Sequence, residues 1–410
     1  MARRAGVGRI IAASTLVLVV LSVAGCRSTE PDPNRRRRRP TTIAAAETTT
    51  MPARGVLRIG LLAPTDTRWA QSAAESAVLA VAHLTEDARL PGWTIQLVRI
   101  DENGSGSALE DAVSQLKADA GVIGIVGPFS SAAADRVVSV LGDEPFPVIT
   151  PTAMGNTAQD NQTNLFHVGL TRAQLVDSIV DSVSRAQGDG VASKPVVVVT
   201  AKGSDGLGAS VTKALATSAL GAQEPGIFEL TTDTTPNEVD AVVRAFTGQA
   251  FESPGLVIVD TSAPKVAFQR IQTFRAAGVK AQLIAVGSSD TTPCEAVPAW
   301  AANDRCLDAH LSIGGSLAGK VFQEDRRASG TATVGPYDAA TYDAVLALVG
   351  SVTTVLANQP DRSTPAPTPK SLRSDSLKNL RAIVANEGIT GPLRWLADGS
   401  RIVSSGSART

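Results

Sequence analysis

The chain has 410 residues, with 38 Lys and Arg against 39 Asp and Glu, a formal net charge of −1 and a hydrophobic share of 43%. That near-neutral balance argues against nucleic-acid binding, and three cysteines are too few for a disulfide-dense scaffold. The three histidines, His83, His167 and His310, stand far apart with no i, i+4 pair, and the cysteines lack zinc spacing, so no metal and no cofactor is expected.

Residues 1–26 are built as an export signal. Arg3, Arg4 and Arg9 form a basic start, residues 10–20 an apolar run, and Val23-Ala24-Gly25 a small-residue site ahead of Cys26. The apolar run is too short for a comfortable span of roughly 20 residues. Cys26 in this setting resembles the bacterial lipoprotein signal, in which the cysteine is lipidated and becomes the mature N-terminus; an ordinary cleaved signal is the other reading. The expected location is extracytoplasmic, at the cell membrane through a lipid anchor. Residues 27–55 mix Pro, Thr, Ala and charge around the run Arg35 to Arg39, which reads as a disordered tether. The arginines either lie against anionic headgroups, at about 1 kcal/mol per charge, or form a solvated spacer.

About 350 residues remain, too many for one ordinary core and suited to two domains. Short apolar runs predict strands over 57–63, 94–101, 122–126, 147–150, 165–168, 195–200, 227–230, 256–260 and 282–286. Helices fit between them, over 70–89, 107–118, 172–186, 207–219, 236–247 and 264–277. Strands separated by such helical segments imply parallel βαβ units, and hence an α/β protein with two doubly wound sheets. Later come long helices over 335–356 and 371–386, a Pro-rich and Thr-rich loop over 358–370, and a closing strand pair over 389–403 around Ala397-Asp398-Gly399-Ser400. The chain is expected to return to its first sheet before ending on the second.

Two turns carry the functional signal. Residues 122–127 lead into Pro128-Phe129-Ser130-Ser131, and residues 146–150 lead into Pro151-Thr152-Ala153. Hydroxyls and N–H groups where strands end and helices begin suit an anionic group, and the crevice beyond the carboxyl ends of an open α/β sheet is where ligands bind. Ser131 and Thr152 can equally be helix N-caps, and the two roles are compatible.

From residue 56 to residue 402 the sequence resembles the type I periplasmic binding proteins, and within them the Leu/Ile/Val-type binding proteins of ABC transporters. The resemblance rests on the order of Ile59-Gly60-Leu61-Leu62-Ala63-Pro64, Ile125-Val126-Gly127-Pro128-Phe129-Ser130-Ser131, Val148-Ile149-Thr150-Pro151-Thr152-Ala153, Arg275-Ala276-Ala277-Gly278-Val279-Lys280, Thr341-Tyr342-Asp343-Ala344-Val345 and Gly391-Pro392-Leu393-Arg394-Trp395 with Asp398-Gly399. It implies two lobes joined by three crossover strands, near Leu170, near residues 308–314 and near Gly391. The lobes then run 56–170 (lobe 1), 171–310 (lobe 2), 311–390 (return to lobe 1) and 391–410 (closing strands of lobe 2 and tail). The implied function is non-enzymatic capture of a small-molecule ligand, an amino acid or related carboxylate, for ABC permease subunits.

By the same resemblance Ser131 and Thr152 contact the ligand carboxylate, with Ser130 beside them as a further ligand-binding residue, Met154 replaces a family threonine, and Asp205 and Ala263 replace second-lobe tyrosines. Asp290 is assigned to the ligand ammonium, while Trp69 and Tyr337 fall on aromatic positions of the cleft, where simple packing is the alternative. Cys294 and Cys306 bracket a short polar loop and are expected to form a disulfide worth about 3 kcal/mol, with two free thiols as the other reading. Gly314 to Val321 approaches the nucleotide-binding P-loop, but Val321 stands where Ser or Thr must hold magnesium, so that reading is discounted. Two rivals remain for function. One is a sensory lipoprotein that signals to a membrane receptor; the other is a cell-wall hydrolase, which needs a nucleophile with a base in reach.

Overall fold

The computed structural model describes residues 54–152, 164–186, 196–201, 207–218, 228–232, 256–261, 282–287, 305–307, 313–330, 334–358, 367–382 and 386–402, apart from 105 and 336, together with 272, 275 and 276. Residues Met51–Thr410 form one compact unit.

The first sheet holds β1 (Gly55–Ala63), β2 (Trp93–Asp101), β3 (Val122–Val126), β4 (Val148–Thr150) and β5 (Leu165–His167) in the order β2-β1-β3-β4-β5, all parallel. β3 is an unbroken apolar run and β4 is buried throughout, because helices cover both faces of a parallel sheet, whereas β1 is continuously apolar and buried only over 59–63 and carries the half-buried Arg58, paired with Asp119, before them. β2, at the edge, alternates half-buried and exposed residues. The strand order reverses between β1 and β3, so the switch-point crevice opens beyond Ala63 and Val126.

Helices α1 (Arg68–Glu86), α2 (Ala108–Ala118) and α3 (Ser131–Leu141) follow β1, β2 and β3. α1 presents Ala70, Ala73, Ala74, Ala77 and Ala80 inward, a small-residue stripe at helical spacing that lets it lie close against a later helix, α7 (Asp338–Ala357). α7 is apolar and long enough to cross a membrane, yet it is buried inside the protein between α1, the sheet and α8 (Pro369–Arg381). One core lies on this side of the sheet, around Ile59, Val126, Val345 and Leu348. A second lies on the other side against α2 and α3, around Ile125, Val113 and Val137.

After β5 the chain enters α4 (Arg172–Ala186), which packs on α5 (Leu207–Thr217), and α5 lies against the second sheet. That sheet contains β6 (Val196–Ala201), β7 (Phe228–Thr232), β8 (Leu256–Thr261), β9 (Gln282–Gly287) and β10 (Arg305–Leu307), in the all-parallel order β10-β9-β8-β6-β7. The chain then returns through α6 (Leu317–Ala328) to α7 and the first sheet. It ends on the antiparallel pair β11 (Asn386–Gly388) and β12 (Gly391–Leu393), and on a bridge between Trp395 and Arg401. The fold is thus that of two parallel α/β sheets, with the chain passing between them at residues 168–171 and again before residue 313.

Several expected boundaries shift. The helix expected over 371–386 stops at Arg381, and Asn386 already belongs to β11. The closing pair is two short hairpins, β11 with β12 and Trp395 with Arg401, because the turn at Ile389 and Thr390 intervenes. The P-loop-like stretch opens α6, where the Ser316 hydroxyl caps the helix by accepting from Gly319 N–H at 3.1 Å. β10 was not foreseen. The helix expected over 236–247 lies outside the described residues, and of 264–277 only 272, 275 and 276 are described, all helical.

Candidate functional site

Two loops flank the switch point. The turn after β3 runs through Gly127, at φ +97°, and a cis peptide bond to Pro128, then to Phe129 and Ser130. A Cβ on Gly127 would collide with the Leu62 carbonyl of β1, so only glycine fits where the two strands diverge. Ser130 caps α3, its hydroxyl accepting from Ala133 N–H at 3.3 Å.

Beneath this turn sits Glu102, 2% exposed, the residue that follows β2. Its carboxylate accepts the N–H groups of Phe129 at 2.6 Å and Ser130 at 3.2 Å. A carboxylate beside a helix N-terminus complements the positive end of the helix dipole. The next two N–H groups, of Ser131 and Ala132, and the Ser131 hydroxyl have no hydrogen-bond partner among the described residues. Ser131 is half-buried and Ala132 is exposed, so these donors at the start of α3 are open to solvent or to an anionic group.

The second turn is fastened to the first. Thr150 donates its hydroxyl to the Pro128 carbonyl at 2.7 Å, and Thr152 donates to the Phe129 carbonyl at 2.7 Å, both residues buried. Thr152 thus spends its proton on the neighbouring turn and retains its lone pairs.

Aromatic rings close one side. Trp69, half-buried at the start of α1, meets Phe129 with centroids 5.4 Å apart and Tyr337 at 4.7 Å, and Phe129 meets Tyr337 at 5.9 Å. Small neighbours make room for this cluster, namely Ala63, Ala70 and Ala73. Tyr337 is fully buried and Trp69 is the partly exposed ring of the three.

Asp338, next to Tyr337, fixes that end of α7. Its Oδ2 accepts from Arg326 Nη2 at 3.1 Å, Ser72 Oγ at 2.9 Å and Gly335 N–H at 2.9 Å, and burial pushes its carboxyl above the usual range. Arg326 is itself buried and also reaches Glu75 at 3.0 Å.

Of the residues singled out from the sequence, Trp69, Ser130, Ser131, Thr152 and Tyr337 come together around the turn after β3. Met154, Asp205, Asp290, Cys26 and Cys294 lie outside the described residues, and Cys306 is described only as part of the β10 backbone. Sequence reasoning missed Glu102 and Thr67. Thr67 is the N-cap of α1, yet its buried hydroxyl makes no cap bond and meets no partner among the described residues. A Thr just before a helix and two residues from Trp69 was the available signal; for Glu102 it was a carboxylate at the exit of an edge strand. Among the described residues no group of His, Cys, Asp and Glu is placed to hold a metal ion.

A family model described as periplasmic binding protein matches residues 56–405. The chain belongs to the periplasmic binding protein family. No curated protein matches it. Solved structures of similar fold include an ABC transporter substrate-binding protein from Desulfitobacterium hafniense in complex with Leu, 17% identical, with 86% of this chain and 96% of that one covered at a TM-score of 0.65. A second is the branched-chain amino acid transporter substrate-binding protein LivJ from Streptococcus pneumoniae in complex with isoleucine, 18% identical over 84% and 93% of the two chains, TM-score 0.62. A third is an ABC transporter solute-binding protein from R. palustris in complex with benzoate, 17% identical over 87% and 95%, TM-score 0.60. This periplasmic binding protein therefore has the type I fold, and its two parallel sheets are consistent with the two lobes of that fold.

Proposed function

We propose that this periplasmic binding protein is the lipid-anchored, extracytoplasmic solute receptor of an ABC importer, and that it captures a small molecule carrying a carboxylate, an amino acid or a related acid. The observation that carries the reading is the pair of open N–H donors at Ser131 and Ala132, with the Ser131 hydroxyl beside them, at the switch point of the first sheet. Charge-assisted hydrogen bonds to an anion there are the strong kind. Trp69 supplies an apolar surface next to those donors, suited to the body of a small acid. The leucine, isoleucine and benzoate complexes of the structural relatives support this choice of ligand class. A ligand touching both lobes shifts an open and closed equilibrium toward the closed form, and no chemical step is required. Met154, Asp205 and Asp290 complete the wall in this reading, and Cys26 holds the protein at the membrane beside the permease.

A thermal-shift screen of Met51–Thr410 against amino acids, aliphatic and aromatic carboxylates, amides and polyamines tests the ligand. A binder at 100 times its dissociation constant adds about 2.7 kcal/mol of apparent stability. Stabilisation confined to cationic compounds without a carboxylate rejects the assignment. The anchor is tested separately: Cys26→Ser in the full chain is expected to move the protein from the membrane to the soluble fraction, and retention at the membrane rejects lipidation at that residue.

A further inference from the structure

Three stretches of chain meet at one place. Residues 167–171 lead from β5 to α4, residues 313 and 314 lead toward α6, and residues 388–393 hold the turn between β11 and β12. Gly314 N–H donates to the Ile389 carbonyl at 2.7 Å, and Trp395 Nε1 donates to the His167 carbonyl at 2.8 Å.

Arg401, 1% exposed, lies where the first and third stretches touch. Its guanidinium donates to the carbonyls of Val168 at 3.1 Å, Gly391 at 2.9 Å and Pro392 at 3.0 Å, and to the Thr390 hydroxyl at 2.7 Å. That hydroxyl in turn donates to Asp343 of α7, whose buried carboxylate also takes the N–H groups of Ile389 at 2.7 Å and Thr390 at 2.9 Å. Burial pushes the Asp343 carboxyl up and the Arg401 guanidinium down from their usual ranges, with Thr390 bridging the two charges. A planar fork with several fixed N–H directions sets the relative positions of all its acceptors, which a lysine ammonium cannot do.

The main chain of Arg401 reaches the other way. Thr171 and Gln174 form a capping box at the start of α4: Thr171 N–H donates to Gln174 Oε1 at 3.0 Å and Gln174 N–H donates to Thr171 Oγ1 at 3.4 Å. The box uses only the oxygen of the Gln174 amide. Its Nε2 donates to the Arg401 carbonyl. α4 packs on α5 against the second sheet, so one residue holds the exit of the first sheet by its side chain and the first helix of the second lobe by its carbonyl.

We propose that Arg401 and Gln174 form the joint that fixes the angle between the two lobes, and that they thereby set the open and closed populations without touching ligand. This rests on the two-lobe binding reading given above, though not on which ligand binds. A change of hinge angle turns α4 relative to the exit of β5, and the Gln174 to Arg401 bond spans those two parts.

The test reads the inter-lobe distance directly. Dyes are placed on exposed Ser139 of α3 and exposed Lys213 of α5 through bio-orthogonal residues in Met51–Thr410, and single-molecule energy transfer is recorded without ligand. Arg401→Lys keeps the charge and removes the fork; Gln174→Glu keeps the capping-box acceptor and removes the donor to Arg401. In each variant the population at the wild-type distance is expected to fall roughly fivefold relative to other distances, the equivalent of one lost hydrogen bond. A distance distribution unchanged in both variants overturns the proposal, even if both melt earlier, because the residues then only stabilise the fold. Since no ligand is present, failure of the carboxylate assignment leaves this test standing.

Discussion

The Glu102 carboxylate accepts the backbone N–H of Phe129 at 2.6 Å, across the gap between the end of β2 and the turn after β3. Together with its second bond, from the Ser130 N–H at 3.2 Å, this contact determines which donors of the turn remain open. With Phe129 and Ser130 engaged, the open N–H groups are those of Ser131 and Ala132, and the proposed anion site is therefore displaced one step into α3.

Glu102→Ala leaves two N–H groups without their carboxylate in a buried place. The expected loss is about 2–4 kcal/mol of stability, read as a lower urea midpoint with an unchanged slope. An unaltered midpoint contradicts the role given to this carboxylate.

Gly127→Ala strikes the same turn from the backbone. The added Cβ meets the Leu62 carbonyl and sits at φ +97°, so strain and collision add. The expected cost exceeds about 3 kcal/mol, with soluble yield falling and any surviving protein melting earlier. Gly142→Ala, at φ +56° and ψ −137° but with open space around it, is the control and is expected to cost about 1–3 kcal/mol from backbone strain alone.

The Arg136 side chain bonds Glu110 at 2.6 Å through both Nε and Nη2, and that hydrogen-bonded pairing holds the Glu110 carboxyl down from 4.5 to about 2. A carboxylate with a depressed folded-state pKa binds fewer protons than in the unfolded chain, so its stabilisation is complete above about 4.5 and disappears as pH falls through about 2. Melting temperatures of wild type and Glu110→Gln should therefore differ at pH 7 and converge by about pH 2, with the gap at pH 7 shrinking in high salt because both groups are partly exposed. A gap that is constant with pH contradicts the pairing.

The first sheet was legible because β3, β4 and the second half of β1 are buried on both faces and read as apolar runs, while α1 carries alanines at helical spacing. β10 escaped notice because three residues carry no periodicity, and α6 because its glycines and lysine drew attention as a loop motif rather than as a capped helix. In the site, Ser131 and Thr152 announced themselves as hydroxyls at strand ends. The Thr152 bond to the Phe129 carbonyl, the burial of Tyr337 and the position of Glu102 did not, since each depends on which strands lie side by side. Arg401 and Gln174 were equally silent, although Thr171 and Gln174 at capping-box spacing mark the start of α4 in the sequence itself.

In the proposed function the Ser131 end of α3 grips the carboxylate of a small acid. Isothermal titration of Met51–Thr410 with the acid that gives the largest thermal shift, in parallel with its amide, measures this most directly, and Ser131→Ala removes the hydroxyl while keeping the backbone donors. The account predicts that the amide binds at least about tenfold more weakly than the acid, and that Ser131→Ala costs about 1–2 kcal/mol of affinity for the acid but much less for the amide. Equal affinity for acid and amide, with no effect of Ser131→Ala, contradicts it.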